Sequence, residues 1–498
     1  MGHDNSQYDT PEEIQSCYST LANTFRQGKT KEVAWRKWQL KQLWWLIDDN
    51  ETALLDALQK DLNRSHGESY LTDLSGIRSD ILYHLDNIDS WTADEVVGDD
   101  FITRSLGIAR IRKEPLGVVL IIGAWNFPLL LVLQPLIAAI TAGCCAIMKP
   151  SELTEACPTL LRELVPRYLD PTAIRVVCGG VPETTALLEL PFNHIFFTGS
   201  GNVGRHVSKA AAKHLTPVTL ELGGQCPAIV GRTANVDQAA KRIAFAKFLN
   251  AGQICFSVNH AFVHPDIYDS FIKHSTISTS IVNKRNRDRL SEVLQQTKGS
   301  IICGGDGDSQ YLRMKPTIVS NLEMDDSLLG GELFGPICPV VKADTKAACE
   351  AVNTKDHPLA LYIFSNDKSE IETILNNTNS GGVTINDVVL HAGFPGAPFG
   401  GVGGSGHGYY HGPYGFKQFS HLRVVVNTPK WLERFIEFRY PPYDNSKLAK
   451  VPKPKAKFKR GETIEDQRPG GLWLSRAGVL AAVSVAFGAF AYYRRTSR

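Results

Sequence analysis

Gly117–Gly123 reads GVVLIIG, a short apolar run rich in β-branched residues and closed by glycine at both ends. A strand buried on both faces needs that composition, because it has no solvent face on which polar residues could alternate. Outward from it, similar runs alternate with helical stretches: CAIMKP from Cys145, AIRVVCGG from Ala173, HIFFTGS from His194, PVTLELGG from Pro217 and PAIVG from Pro227. This alternation predicts a doubly wound α/β fold with a parallel sheet. Upstream, residues 11 to 92 space their apolar positions by three and four, as in AWRKWQLKQLWWLI and ALLDALQKDL, and predict helices. VVGDDFITRSLGIARIRKEP, 96 to 115, alternates on either side of Gly107 and predicts a hairpin. A second strand-and-helix region runs from about Pro227 to Phe419, and HLRVVVN, 421 to 427, is one more alternating strand able to pair with that hairpin.

A chain of 498 residues exceeds one compact core, so two or three folding units are expected. Apolar residues at 43% and charged residues at 21% describe a globular protein, and 53 basic against 51 acidic residues give no reason to expect nucleic acid. The polar start MGHDNSQYDT has no apolar h-region of a secretory signal, and Gly2 with Ser6 fits only the loose pattern for N-myristoylation. The ten cysteines have no paired or metal-like spacing, so reduced thiols and no metal site are expected.

Several residues invite chemistry. Cys255 in NAGQICFSVNH follows two loop-formers, Gly252 and Gln253, that could present its sulfur at the edge of an element; the alternative is a small core side chain. Glu221 in TLELGGQCP is a carboxylate ending a buried strand, suited to a general base or to a structural ion pair. Asn126 in IIGAWNFPLL could donate to a developing oxyanion or simply cap a turn. In FFTGSGNVG, Gly199, Gly201 and Gly204 form a literal G-x-G-x-x-G between strand and helix. Read as a dinucleotide fingerprint, it needs an acid about 20 residues on, and the acid found is Glu221. Spacing therefore offers Glu221 two incompatible roles, ribose ligand or base. Backbone N–H groups at the helix start suit a phosphate in either case.

Taken in order, PLGVVLIIGAWNFP, KPSE, FFTGS, LELGG, GQIC, ELFGP and PFGGVGGSG resemble the aldehyde dehydrogenase superfamily over roughly residues 10 to 445. RYPPY at 439 to 443, the short N-terminus and the apolar C-terminal segment are most similar to its class-3, fatty aldehyde branch. The resemblance implies Cys255 as nucleophile, Glu221 as general base, and Asn126 with the Cys255 backbone N–H as oxyanion donors. It implies NAD, with NADP possible. Lys149 and Glu152 would lie at the adenosine ribose, Gly199, Ser200, Gly201, Asn202, Val203 and Gly204 along the diphosphate, and Glu332 with Phe334 at the nicotinamide riboside. Departures are Gln225 where the family often has Lys, Ile254 where it often has Thr, and Gly201 in place of a hydroxyl residue. The expected domains are a dinucleotide-binding domain (1–93 and 115–222), a catalytic domain (223–420) and a bridging β element (94–114 and 421–430). A linker (431–471) and a transmembrane tail (472–493) follow.

The tail has its own physical argument. From Ala477 to Tyr493 there is no charge, Arg476 can snorkel, and Trp473, Tyr492 and Tyr493 mark the interfaces. A span extended back to Leu472 reaches about 33 Å of helix, enough for a hydrocarbon core of about 30 Å. The expected partners are an aldehyde, a lipid bilayer and a second copy in a homodimer. The expected location is the cytosolic face of a membrane, the mitochondrial outer membrane in preference to the endoplasmic reticulum. Two rival functions are a CoA-acylating dehydrogenase, disfavoured by a water-activating Glu221, and a non-catalytic membrane scaffold, disfavoured by the joint presence of Cys255, Glu221 and Asn126.

Overall fold

The structure is a computed structural model describing residues 8–98, 109–272, 279–280, 283–305, 313–443, 445–449, 456, 460–464 and 466–467. The expected turn at Gly107 and the expected span 472–493 lie outside them. Among the described residues, no helix is long and apolar enough to cross a membrane. The chain divides into a body, 1–426, and a second unit, 427–498. The described part of the second unit is a series of short turns of helix, among them Glu433–Ile436 and Asn445–Ala449.

The body is α/β. One six-stranded sheet runs Gly406–His407, Val218–Glu221, His194–Thr198, Val118–Ile122, Cys145–Lys149, Ile174–Val176. All its neighbours are parallel except the short Gly406–His407 strand. Val118–Ile122 sits in the middle with every residue buried, which is why it carries no polar alternation. From this strand the chain crosses to Cys145–Lys149 on one side and later to His194–Thr198 on the other. Such a reversal opens a crevice at the carboxyl ends of the strands. The loops gathered there are those after Ile122, Lys149, Thr198 and Glu221.

A seven-stranded sheet follows, in the order Ser300–Cys303, Thr317–Ser320, Ile337–Lys342, His260–Val263, Pro227–Val230, Ala360–Phe364, Gly382–Ile385. The third sheet is the expected hairpin, Glu95–Val97 against Ala109–Pro115, joined by Ser420–Val426 in an antiparallel register from Ser420↔Pro115 to Val426↔Ala109.

The N-terminal helices begin at a capping box, in which Thr10 Oγ1 accepts from Glu13 N–H and Glu13 accepts from Thr10 N–H. Arg36 of the helix Val33–Asp49 is buried and donates to three backbone carbonyls, Thr30, Lys31 and Thr141, locking this layer to the end of the helix Leu130–Ala142. Gly143 is required there, since its φ is +92° and a Cβ would meet the Arg36 guanidinium at 2.7 Å.

Candidate active site

The loop that carries Cys255 begins where the helix Val236–Phe248 ends. Asn250, Ala251 and Gly252 all take left-handed backbone angles (φ 50°, 55° and 73°), reversing the chain before Cys255. Such conformations cost of order 1–3 kcal/mol per non-glycine residue and persist only where surroundings impose them. Here the surroundings are close: a Cβ at Gly252 would lie 2.3 Å from the Gly335 carbonyl, so GQIC packs directly on ELFGP. The Cys255 side chain is half-buried. Burial first, then Glu332, Cys226 and Glu221, push its thiol well above the ordinary value. Cys226 Sγ lies 3.4 Å from the Cys255 carbonyl and accepts from Ala360 N–H.

Asn126 is buried in the turn after Val118–Ile122, and its Nδ2 donates to the Gln253 carbonyl at 3.0 Å. That acceptor fixes which end of the amide is nitrogen and uses one of its two N–H groups. Glu221 closes its strand with both carboxylate oxygens buried and without a hydrogen-bond partner. Burial alone raises its carboxyl well above the usual range.

A groove of about 1530 Å³ opens along the crevice. Its wall includes Lys149, Glu152, Gly199, Ser200, Asn202, Val203 and Trp125. Lys149 Nζ and Glu152 Oε2 are 2.7 Å apart. Ser200 caps the helix Gly201–Ala212, whose first turn carries no acid, so its free N–H groups suit an anion. Lys284, Arg285 and Arg289 also line it. A dinucleotide diphosphate fits this donor set and this volume.

Some expected cofactor residues are not in that wall. Gly201 and Gly204 are absent from it; a Cβ at Gly204 would press on Leu222 at 3.0 Å, so this glycine serves close packing of helix on strand. Glu332 and Phe334 also lie off the groove. The Phe334 ring meets Trp125 edge-on at 5.4 Å, and a Cβ at Gly223 would fall 2.3 Å from the Glu332 carboxylate. Burial lifts Glu332 to about 7 against Gly224 N–H, Lys247 and Arg289. Glu221 does not line the groove either.

Sequence reasoning missed three contributors. The Gly180–Leu188 segment contributes to the groove lining and had a legible signal, the glycine pair Gly179–Gly180 before a helix. The basic start of the helix Lys284–Gln296 had none, because it reads as a solvated helix face. Lys247 is fully buried and pushed down to about 8 by that burial, a cation where the helix phase predicts a core side chain. Among the described residues, no cluster of three or more His, Cys, Asp or Glu is placed to hold a metal.

The model of the aldehyde dehydrogenase family matches residues 4–425. The chain belongs to the aldehyde dehydrogenase family. This aldehyde dehydrogenase is similar to the mouse protein named aldehyde dehydrogenase family 3 member A2, 39% identical over 445 residues, covering 86% of this chain and 91% of that one. A Neurospora crassa β-apo-4′-carotenal oxygenase is 43% identical over 452 residues, covering 87% and 85%. A canine dimeric NADP-preferring aldehyde dehydrogenase is 38% identical over 434 residues, covering 84% and 95%. The substrate-bound structure of Staphylococcus aureus AldH superposes with a TM-score of 0.82 at 36% identity, covering 86% of this chain and 97% of that one. The chain is thus a class-3-branch, NAD(P)-dependent aldehyde dehydrogenase.

Proposed function

We propose that this aldehyde dehydrogenase oxidises long-chain aliphatic aldehydes to carboxylic acids at a membrane surface. The observation that carries the substrate class is the apolar cluster of Phe127, Leu131 and Ile254, with Leu130, Leu249 and Phe256 against it. Phe127 follows Asn126, and Ile254 and Phe256 flank Cys255, so this buried apolar cluster adjoins the proposed reacting residues and is read as the wall an alkyl chain would meet. Each buried methylene contributes about 0.8 kcal/mol. The names of the mouse and Neurospora relatives, a family 3 member and an enzyme of a carotenal, are consistent with an apolar aldehyde.

In this reading Cys255, as thiolate, adds to the carbonyl carbon and makes a tetrahedral oxyanion. The second Asn126 N–H and the Cys255 backbone N–H donate to that oxygen. Bound NAD or NADP supplies the acceptor for the hydride leaving this carbon. Glu221 then takes a proton from the water that attacks the Cys255 thioester, and the acid departs. A water entering beside Glu221 also gives its unpartnered oxygens a donor, which eases ionisation of the buried carboxyl. Lys149 and Glu152 hold the adenosine end, residues 199–204 the diphosphate side, and Glu332 with Phe334 the nicotinamide riboside.

Residues 472–493 are proposed as a transmembrane anchor, with the body in the cytosol and the mitochondrial outer membrane favoured. The uncharged stretch and its aromatic and arginine flanks support this. Domain limits at 1–93 with 115–222, 223–420, and 94–114 with 421–430 accompany the reading, as does a homodimer, for which the canine relative's name is the support. The test is kcat/KM across saturated aldehydes of increasing length, with and without CoA. Efficiency that climbs with length and ignores CoA supports the proposal. Efficiency that declines with length ends the fatty-substrate reading, and a thioester product ends hydrolysis.

A further inference from the structure

Asn250 is almost completely buried, and its polar groups reach both halves of the site. Its side-chain Nδ2 donates to the Asn126 carbonyl at 2.9 Å and to the Gln253 carbonyl at 3.2 Å. Its own carbonyl accepts from Gln253 Nε2 at 3.0 Å. Its backbone N–H donates to Glu68 Oε1 at 2.8 Å. Glu68 belongs to the short helix His66–Ser69, which continues into a π-helical turn, Tyr70–Leu74. Asp73 of that turn accepts from Leu130 N–H at 3.1 Å and pairs with buried Arg64 at 2.7 Å. The Arg64 guanidinium in turn lies over the Phe127 ring, 5.4 Å from its centre. One segment, 64–74, therefore holds the Asn126 turn from one side and the Cys255 loop from the other.

We infer that Asn250, anchored by Glu68, is a positioning residue that fixes the separation of Asn126 from Cys255 and so aligns the oxyanion donor with the attacked carbonyl. Asn250 is not among the residues that line the groove; it acts through the Asn126 and Gln253 peptide groups. Asparagine suits the post twice, tolerating the left-handed backbone and offering two N–H donors on a short arm. The inference rests on the proposed roles of Cys255 and Asn126.

The test is the first-turnover rate of NADH formation in Asn250→Gly, which keeps the backbone angles and deletes the amide. Misplacement of a reacting group by about an ångström costs up to ~100-fold, so a loss of roughly tenfold or more is expected. Alkylation of Cys255 by iodoacetamide needs no oxyanion donor and should keep its rate within about twofold, unlike a collapsed site. In an Asn126→Ala background, Asn250→Gly should cost little further. Additive losses in that double variant, or a first turnover within twofold of wild type in the single one, overturn the inference. If Asn126→Ala alone leaves the first turnover intact, the underlying oxyanion assignment is what has failed. Should Asn250→Gly not fold, Glu68→Ala and Glu68→Gln decide. The alanine should slow the same step and the glutamine, which keeps an acceptor oxygen, should restore it; equal rates in both overturn the inference.

Discussion

Asn126 Nδ2 and the Gln253 carbonyl lie 3.0 Å apart, so the proposed oxyanion donor is hydrogen-bonded to the backbone two residues before the proposed nucleophile. The bond crosses from a loop of the six-stranded sheet, after Val118–Ile122, to a loop between the strands Pro227–Val230 and His260–Val263 of the seven-stranded sheet. Chemistry at Cys255 is therefore sensitive to the packing of the two sheets, and the following outcomes are expected.

Glu221→Gln should retain a pre-steady-state burst of NADH while steady turnover falls by about 10²- to 10⁴-fold, the usual worth of a general base. Cofactor affinity should hold, because the side chain is not in the groove wall. Stopped-flow fluorescence reads both quantities. Weakened NAD binding with unchanged deacylation would show that Glu221 is a ribose ligand after all.

Cys255 carries a thiol raised well above its ordinary value by burial, Glu332, Cys226 and Glu221. A raised thiol pKa means less thiolate at neutral pH, so inactivation of the cofactor-free enzyme by iodoacetamide should climb about tenfold per pH unit through pH 8. A plateau below pH 7 would contradict the raised value. Cys255→Ala should abolish turnover yet still bind NAD, as titration calorimetry can check.

Glu152 sits 2.7 Å from Lys149 at the proposed adenosine end, where a carboxylate would repel a 2′-phosphate. NAD should be the better cofactor, and Glu152→Gln should shift the kcat/KM ratio toward NADP by about tenfold by removing the repulsion and freeing the Lys149 cation. Equal efficiency of wild type with both cofactors would remove this role from Glu152.

Gly252→Ala places a Cβ 2.3 Å from the Gly335 carbonyl at a left-handed φ. The conformation alone costs about 1–2 kcal/mol, and the collision adds to it. Loss of activity should exceed loss of stability, since the displaced loop carries Cys255. Urea unfolding and kcat measured on the same sample separate the two.

Truncation before Pro469 should yield an active enzyme that stays in the supernatant after alkaline carbonate extraction, while the full chain pellets. A truncated protein that still pellets would place the anchor elsewhere.

The sheet that positions the site was legible because Val118–Ile122 is buried on both faces and says so in its composition. The order of motifs brought Cys255, Glu221 and Asn126 to attention, although each alone read as well as packing, ion pair or turn. Asn250, Glu68 and Lys247 stayed hidden for a physical reason. Their roles depend on partners up to 182 residues away, and a single sequence carries no trace of such distances. Gly204, the third glycine of the fingerprint, lets Leu222 approach the helix closely, which is the packing role its place in that pattern calls for.

The antiparallel pairing of Ser420–Val426 with Ala109–Pro115 has a consequence for biosynthesis. Arg423 meets Glu114 across 309 residues of intervening chain, so the last strand of this ribbon is among the final parts of the body to be made. Until it docks, one edge of Ala109–Pro115 presents unpaired N–H and C=O groups, a template for another chain's strand. Nascent chains arrested before Ser420 should thus be sticky for chaperones in a way that completed ones are not, and premature termination in the last fifth of the body should produce aggregates rather than a smaller, idle enzyme.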